Sequence, residues 1–142
     1  MLRKQLAKLN HLMQGIEKVY ADYAKSVGIT YMSLTVLQII CYADMPQTQK
    51  EICEMTHYNK QIVNTIVKGF HEKGYLIFEE VLSDRRNKYV CLTDSGKAYA
   101  DDILKPLSMI EEKALSVLSQ EEWNMGLQIL DRCYEGYREA VK

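Results

Sequence analysis

From Leu2 to Val27, apolar residues recur at alternating steps of four and three: Leu2, Leu6, Leu9, Met13, Ile16, Tyr20, Tyr23 and Val27. A seam this regular predicts one long helix with coiled-coil-like spacing. Gly28 ends it. The next pattern, Leu34, Val36, Leu37, Ile39, Ile40 and Cys41, spreads around a helix over 31–42 and requires burial on more than one side. Asp44-Met45-Pro46 breaks the chain. Thr48-Gln49-Lys50-Glu51 then has the form of a capping box opening a short helix over 49–55. After the tight connection Thr56-His57-Tyr58, Asn59 is placed to cap a helix over 60–73, with Tyr58 and Val63 as a hydrophobic staple. That helix has one apolar stripe, Ile62, Val63, Ile66, Val67 and Phe70, and Gly74 stops it.

The periodicity then changes from helical to strand-like. Residues 75–82 and 88–92 read as two strands, with Ser83-Asp84-Arg85-Arg86-Asn87 as a polar tip between them. Asp84 is placed to pair with Arg86 and shape that tip. Thr93 can cap a fifth helix reaching about Leu118, with a bend expected near Pro106. Ser119-Gln120-Glu121-Glu122 is a second capping box, and a last helix carries Trp123, Leu127, Leu130, Tyr134, Tyr137 and Val141 at four- and three-residue steps. The expected fold is mainly α with a small β-hairpin: a winged helix-turn-helix over 31–93, flanked by helical dimerisation regions at 1–30 and 94–142.

Two short tandem helices followed by a hairpin form a device for reading duplex DNA. The first helix braces the second, which presents a polar face to the major groove, and the hairpin reaches the backbone or the adjoining minor groove. The candidate DNA-binding residues are Thr48, Asn59, Lys60, Gln61, Asn64, Thr65 and Lys68 in the helices. In the hairpin they are Asp84, Arg85, Arg86, Asn87 and Lys88. For the terminal seams, self-association is expected, because they present much apolar surface for so small a chain. The candidate dimer-interface residues are Leu2, Leu6, Leu9, Trp123, Leu127, Leu130 and Tyr134.

Net charge, −1 over 142 residues, does not by itself point to nucleic acid, but the charges are unevenly placed. Residues 1–27 carry five bases against two acids, and residues 57–97 carry seven against five. From Asp101 onward nine acids face five bases. The middle is mildly basic and the C-terminal arm acidic.

On these residues the sequence resembles the MarR family of bacterial transcriptional regulators. Thr48 through Met55 is similar to the family's supporting helix. Asn59 through Leu76, with Phe70 and Glu72-Lys73-Gly74-Tyr75-Leu76, is similar to its recognition helix and the exit into the wing. Asp84-Arg85-Arg86 followed by Leu92-Thr93-Asp94-Ser95-Gly96 resembles the wing signature. The resemblance implies a homodimer built from the first helix and the last two, a repressor on a pseudo-palindromic operator, and relief by a small ligand or an oxidant. Oxidant-sensing members carry a reactive cysteine in the first helix, and residues 1–30 contain none. Zinc-sensing members use several histidines and acids near the domain junction, and this chain has only His11, His57 and His71.

The remaining chemistry is sparse. Met13, Tyr20, Tyr23, Tyr31 and Tyr42 are candidates to line a pocket for a small aromatic ligand, although core and interface roles account for them better. Cys41, Cys53, Cys91 and Cys133 are widely spaced without a CxxC pair, and are expected to be reduced, mostly buried thiols that mild peroxide leaves alone. His11 and His57 lack ligand spacing, so no metal and no cofactor is expected. No phosphate loop, GxSxG or paired-carboxylate arrangement supports an enzyme. No stretch is long and apolar enough for a membrane span, no signal-peptide pattern opens the chain, and a cytoplasmic location is expected. The alternative reading is a winged helix that contacts another protein and has no operator. Consecutive arginines opposite a polar helix are what distinguish the DNA reading from it.

Overall fold

A computed structural model describes all 142 residues. The elements, in chain order, are α1 (Leu2–Ser26), α2 (Tyr31–Tyr42), β1 (Gln47–Thr48), α3 (Gln49–Thr56), α4 (Lys60–Glu72), β2 (Leu76–Val81), β3 (Asp84–Leu92), α5 (Asp94–Leu115) and α6 (Gln120–Ala140). The chain divides into two compact units, Met1–Leu104 and Lys105–Lys142, the division falling inside α5 beside Pro106. No single helix is long and apolar enough to cross a membrane.

Within the first unit, local capping sets the helix starts. Thr30 accepts the Ser33 N–H, Thr48 accepts that of Glu51, and Asn59 accepts that of Ile62, each satisfying a donor that the helix itself leaves open. Gly28 and Gly74, both at positive φ, follow α1 and α4. The core gathers Ala24 from α1, Leu34, Val36 and Leu37 from α2, and Ile52 from α3. It is completed by Val63, Val67 and Phe70 of α4, Leu76 and Val90 of the strands, and Ala100, Ile103 and Leu104 of α5. The side chains on α2 are buried on more than one side, as its broad apolar pattern requires.

The sheet departs from the sequence expectation in two ways. It has three antiparallel strands in the order β1-β3-β2, because Gln47 and Thr48 pair with Val90 and Tyr89. A strand of two residues leaves no periodic signal. The hairpin register is also different. Glu80 pairs with Lys88 but Val81 pairs with Asp84, so Arg85, Arg86 and Asn87 form a bulge on β3. The turn is Leu82-Ser83, and the arginines stand behind it on β3. The Asp84 carboxylate explains this local shape: Oδ1 accepts the Arg86 backbone N–H at 3.0 Å and Oδ2 accepts the Asn87 side-chain amide at 2.8 Å. Asp84 therefore holds the wing through its neighbours' N–H groups, not through an ion pair with the Arg86 guanidinium.

In the second unit, Ser119 and Glu122 complete the expected capping box. Glu122 N–H donates to Ser119 Oγ at 3.1 Å, and Ser119 N–H donates to Glu122 Oε2 at 2.7 Å. α5 stops at Leu115, three residues short of expectation. No residue of α6 is buried, and its apolar side chains Leu127, Leu130 and Tyr134 are exposed.

Candidate nucleic-acid interface

A groove of about 760 Å³ lies where α3, α4 and the wing meet. Gln49, Lys50 and Cys53 line it from α3. Lys60, Asn64, Lys68 and His71 line it from α4, and Phe78, Arg86, Asn87 and Lys88 from the hairpin. Five side chains of fixed positive charge face this space, with three amide side chains among them and no carboxylate. Such a groove concentrates positive potential and attracts a polyanion.

Helical geometry accounts for the α4 contribution. Lys60, Asn64 and Lys68 recur every four residues, and His71 follows three later, so they form one stripe. Val63, Val67 and Phe70 form the buried stripe beside it. The His71 ring sits 4.8 Å from that of Phe78, tying the last turn of α4 to β2. Gln61 and Thr65 are exposed on α4 but stand outside the groove, and the Thr65 hydroxyl donates back to the Gln61 carbonyl at 2.9 Å.

The other candidates separate by what already occupies them. Lys60, Asn64, Lys68, Arg86, Asn87 and Lys88 come together in the groove. Arg85 is exposed outside it. Asn59 spends its side-chain oxygen on the α4 cap and Asp84 its carboxylate on the wing. Thr48 is buried, its hydroxyl capping α3 and its backbone paired with β3, which leaves it little surface to present. Sequence reasoning missed Gln49 and Lys50. It took only Thr48 from the capping segment as a DNA contact, although the first turn of a capped supporting helix also faces the next helix. His71, Phe78 and Cys53 were missed because their partners come from other elements.

The thiols are more open than expected. Cys41, Cys53 and Cys91 are half-buried and Cys133 is exposed, all unpaired. α3 is short and one-sided: Ile52 takes the core position and Cys53 is turned toward the groove. Burial pushes the Cys41 thiol above its ordinary pKa, with Asp101 adding to the effect and Lys97 opposing it. Burial, then Glu79, does the same to Cys91.

The tyrosines assigned to a ligand site do not all share one environment. Tyr20 and Tyr31 are half-buried with ring centroids 6.4 Å apart. The Tyr23 hydroxyl donates to the Ile103 carbonyl at 2.5 Å. Burial, followed by Tyr58 and Glu17, raises the Tyr31 pKa, and a hydrogen bond with Thr35 opposes this. Met13 and Tyr42 are exposed.

Comparison with known proteins gives a uniform result. A model described as "MarR family" matches residues 27–87. The chain is 32% identical over 124 residues to the HTH-type transcriptional regulator SarZ of Staphylococcus epidermidis, covering 85% of this chain and 80% of that protein. Among solved structures, NMB1585, a MarR family regulator from Neisseria meningitidis, superposes with a TM-score of 0.85 at 24% identity over 96% of both chains. CouR from Rhodococcus jostii RHA1, solved bound to p-coumaroyl-CoA, superposes with a TM-score of 0.75 at 18% identity over 92% of both chains. These relatives are similar in fold, and those named for a function are regulators, not enzymes.

Proposed function

The chain belongs to the MarR family of transcriptional regulators, and we propose that it acts as a homodimeric repressor on a pseudo-palindromic operator. In this reading, residues 31–93 read the DNA, while residues 1–30 and 94–142 hold the dimer. The observation that carries it is the groove: three separate elements bring five cations and three amides to one surface and no carboxylate. Phosphates engage the cations, which sets affinity. Asn64 and the neighbouring exposed Gln61 have amides that both donate and accept, which suits them to base edges.

Relief by a small aromatic ligand completes the reading. Tyr20, Tyr23 and Tyr31, at the meeting of α1 and α2, supply aromatic surface, and the same fold in CouR accommodates p-coumaroyl-CoA.

The test is selection of bound duplexes from a random pool, followed by fluorescence anisotropy on a selected and a scrambled duplex at several salt concentrations. The expected result is an enriched two-fold-related sequence. Log affinity should fall steeply with log salt, by about 0.9 per phosphate neutralised. No enrichment, together with flat salt dependence, would overturn the DNA reading and favour a protein-contact role for the wing.

A further inference from the structure

The segment Leu92-Thr93-Asp94-Ser95-Gly96 supplies no residue to the groove, yet it is tied closely to the end of the helix that does. Gly74, at φ 79°, ends the α4 segment. Its carbonyl accepts two hydroxyls from the start of α5: Thr93 Oγ1 at 2.7 Å and Ser95 Oγ at 3.1 Å. These two hydroxyl oxygens lie 3.1 Å from each other. The Thr93 N–H donates to the Tyr75 carbonyl at 3.0 Å. Gly96 is packed so closely that a Cβ there would land on that same Tyr75 carbonyl.

Starting a helix requires only one of these groups. Thr93 Oγ1 already accepts the Gly96 N–H at 3.0 Å, which is the α5 cap. The Ser95 hydroxyl adds nothing to that cap. Its contacts are with Gly74 and Thr93, so its effect is to fasten one element to another. A carbonyl with two lone pairs can hold two such donors, and here both come from α5.

We propose that Thr93 and Ser95 are positioning residues for DNA recognition, their paired hydroxyls on the Gly74 carbonyl fixing the direction of α4 against the first turn of α5. A shift of that turn then reaches the end of the recognition helix through the Gly74 and Tyr75 carbonyls. Hydrogen bonds to base edges are short and directional, whereas charge attraction to phosphates falls off slowly with distance. The inference rests on the DNA reading above.

The discriminating variant is Ser95→Ala, because Ser95 is exposed and does not cap the helix. Its affinity for the selected duplex should fall about three- to ten-fold, because α4 held less firmly presents the competent orientation in only a fraction of molecules. Affinity for scrambled duplex and the salt slope should stay at wild-type values, and Tm should fall by only a few degrees, the cost of one exposed hydrogen bond. Thr93→Ser keeps the hydroxyl and should bind as wild type, whereas Thr93→Val should lose specific binding and some Tm. Ser95→Ala binding the selected duplex as wild type would overturn the inference. So would equal losses on both duplexes with a larger fall in Tm, since that is the pattern of a merely structural residue. A wild type that binds neither duplex would remove the DNA reading itself, and this inference with it.

Discussion

Asn64 and Arg86 face the same groove but carry different information for a nucleic acid. An amide offers a donor and an acceptor, and so can match two atoms of an adenine edge, at about 1–3 kcal/mol for a good bidentate pair. A guanidinium has donors and charge only, and so reports phosphate potential and groove width. The two should fail differently. Asn64→Ala should relax preference at one or two operator positions and leave the salt dependence nearly intact. Arg86→Ala should weaken binding to selected and scrambled duplexes alike, and flatten the log affinity–log salt plot by about one unit per arginine, or about two for a dimer with both wings engaged. Anisotropy titrations at several salt concentrations check both. An Arg86→Ala protein with wild-type slope on both duplexes would place that side chain off the DNA. The polar face of α4 is legible in the sequence because helical spacing alone puts Lys60, Asn64 and Lys68 in line. Thr48 is not, because the same Thr-x-x-Glu pattern serves a solvated cap and a buried one. What buries Thr48 is a pairing with Tyr89, some forty residues away, and local spacing carries no trace of it.

At the scale of elements, the short helices and their starts are readable because caps are local chemistry: Thr48, Asn59, Thr93 and Ser119 each accept the N–H expected of them. The wing is less readable. Alternation over 75–82 and 88–92 locates two strands, but Asp84 captures two neighbouring N–H groups and shifts the register, and that choice depends on side-chain geometry rather than periodicity. The junction of wing and α5 depends on a glycine for a reason of space. Gly96→Ala would drive a Cβ into the Tyr75 carbonyl, a backbone atom just ahead of β2 that already accepts the Thr93 N–H. It should destabilise the protein by about 1–3 kcal/mol, the range of an overpacked site, and lower DNA affinity with it. Gly69→Ala, within α4, meets nothing within 4 Å. It should instead stabilise by about 0.5–1 kcal/mol, since alanine loses less entropy in a helix. Urea denaturation of the two variants gives opposite signs if the close approach at Gly96 is real. A stable Gly96→Ala protein would mean the junction has slack.

For the whole molecule, the decisive feature is apolar surface left uncovered. α6 runs 21 residues with none buried, although in proteins most of a helix's stability comes from packing its amphipathic face. Leu127 is 57% exposed, Leu130 54% and Tyr134 47%. On α1, Leu2 and Leu9 are exposed, as are Leu12, Met13, Ile16 and Val19. Leu6 and Trp123, the other residues assigned to the interface, are half-buried. Covering a large apolar side chain contributes about 1.5–3 kcal/mol, so two terminal faces of this kind hold ample free energy for association. Both carry the four- and three-residue spacing that packs helix against helix, and a second copy offers a matching pair of faces by symmetry. The protein should therefore sediment as a dimer at micromolar concentration. Leu127→Asp with Leu130→Asp should shift it toward monomer and reduce helical circular dichroism, because α6 depends on the covering it loses. The same variant should bind a selected duplex far more weakly than wild type while retaining its groove, since two linked half-sites bind with an affinity that one cannot reach. A folded wild-type monomer at that concentration would refute the dimer. A monomeric variant that bound the full duplex as tightly as wild type would show that the operator is read by single copies.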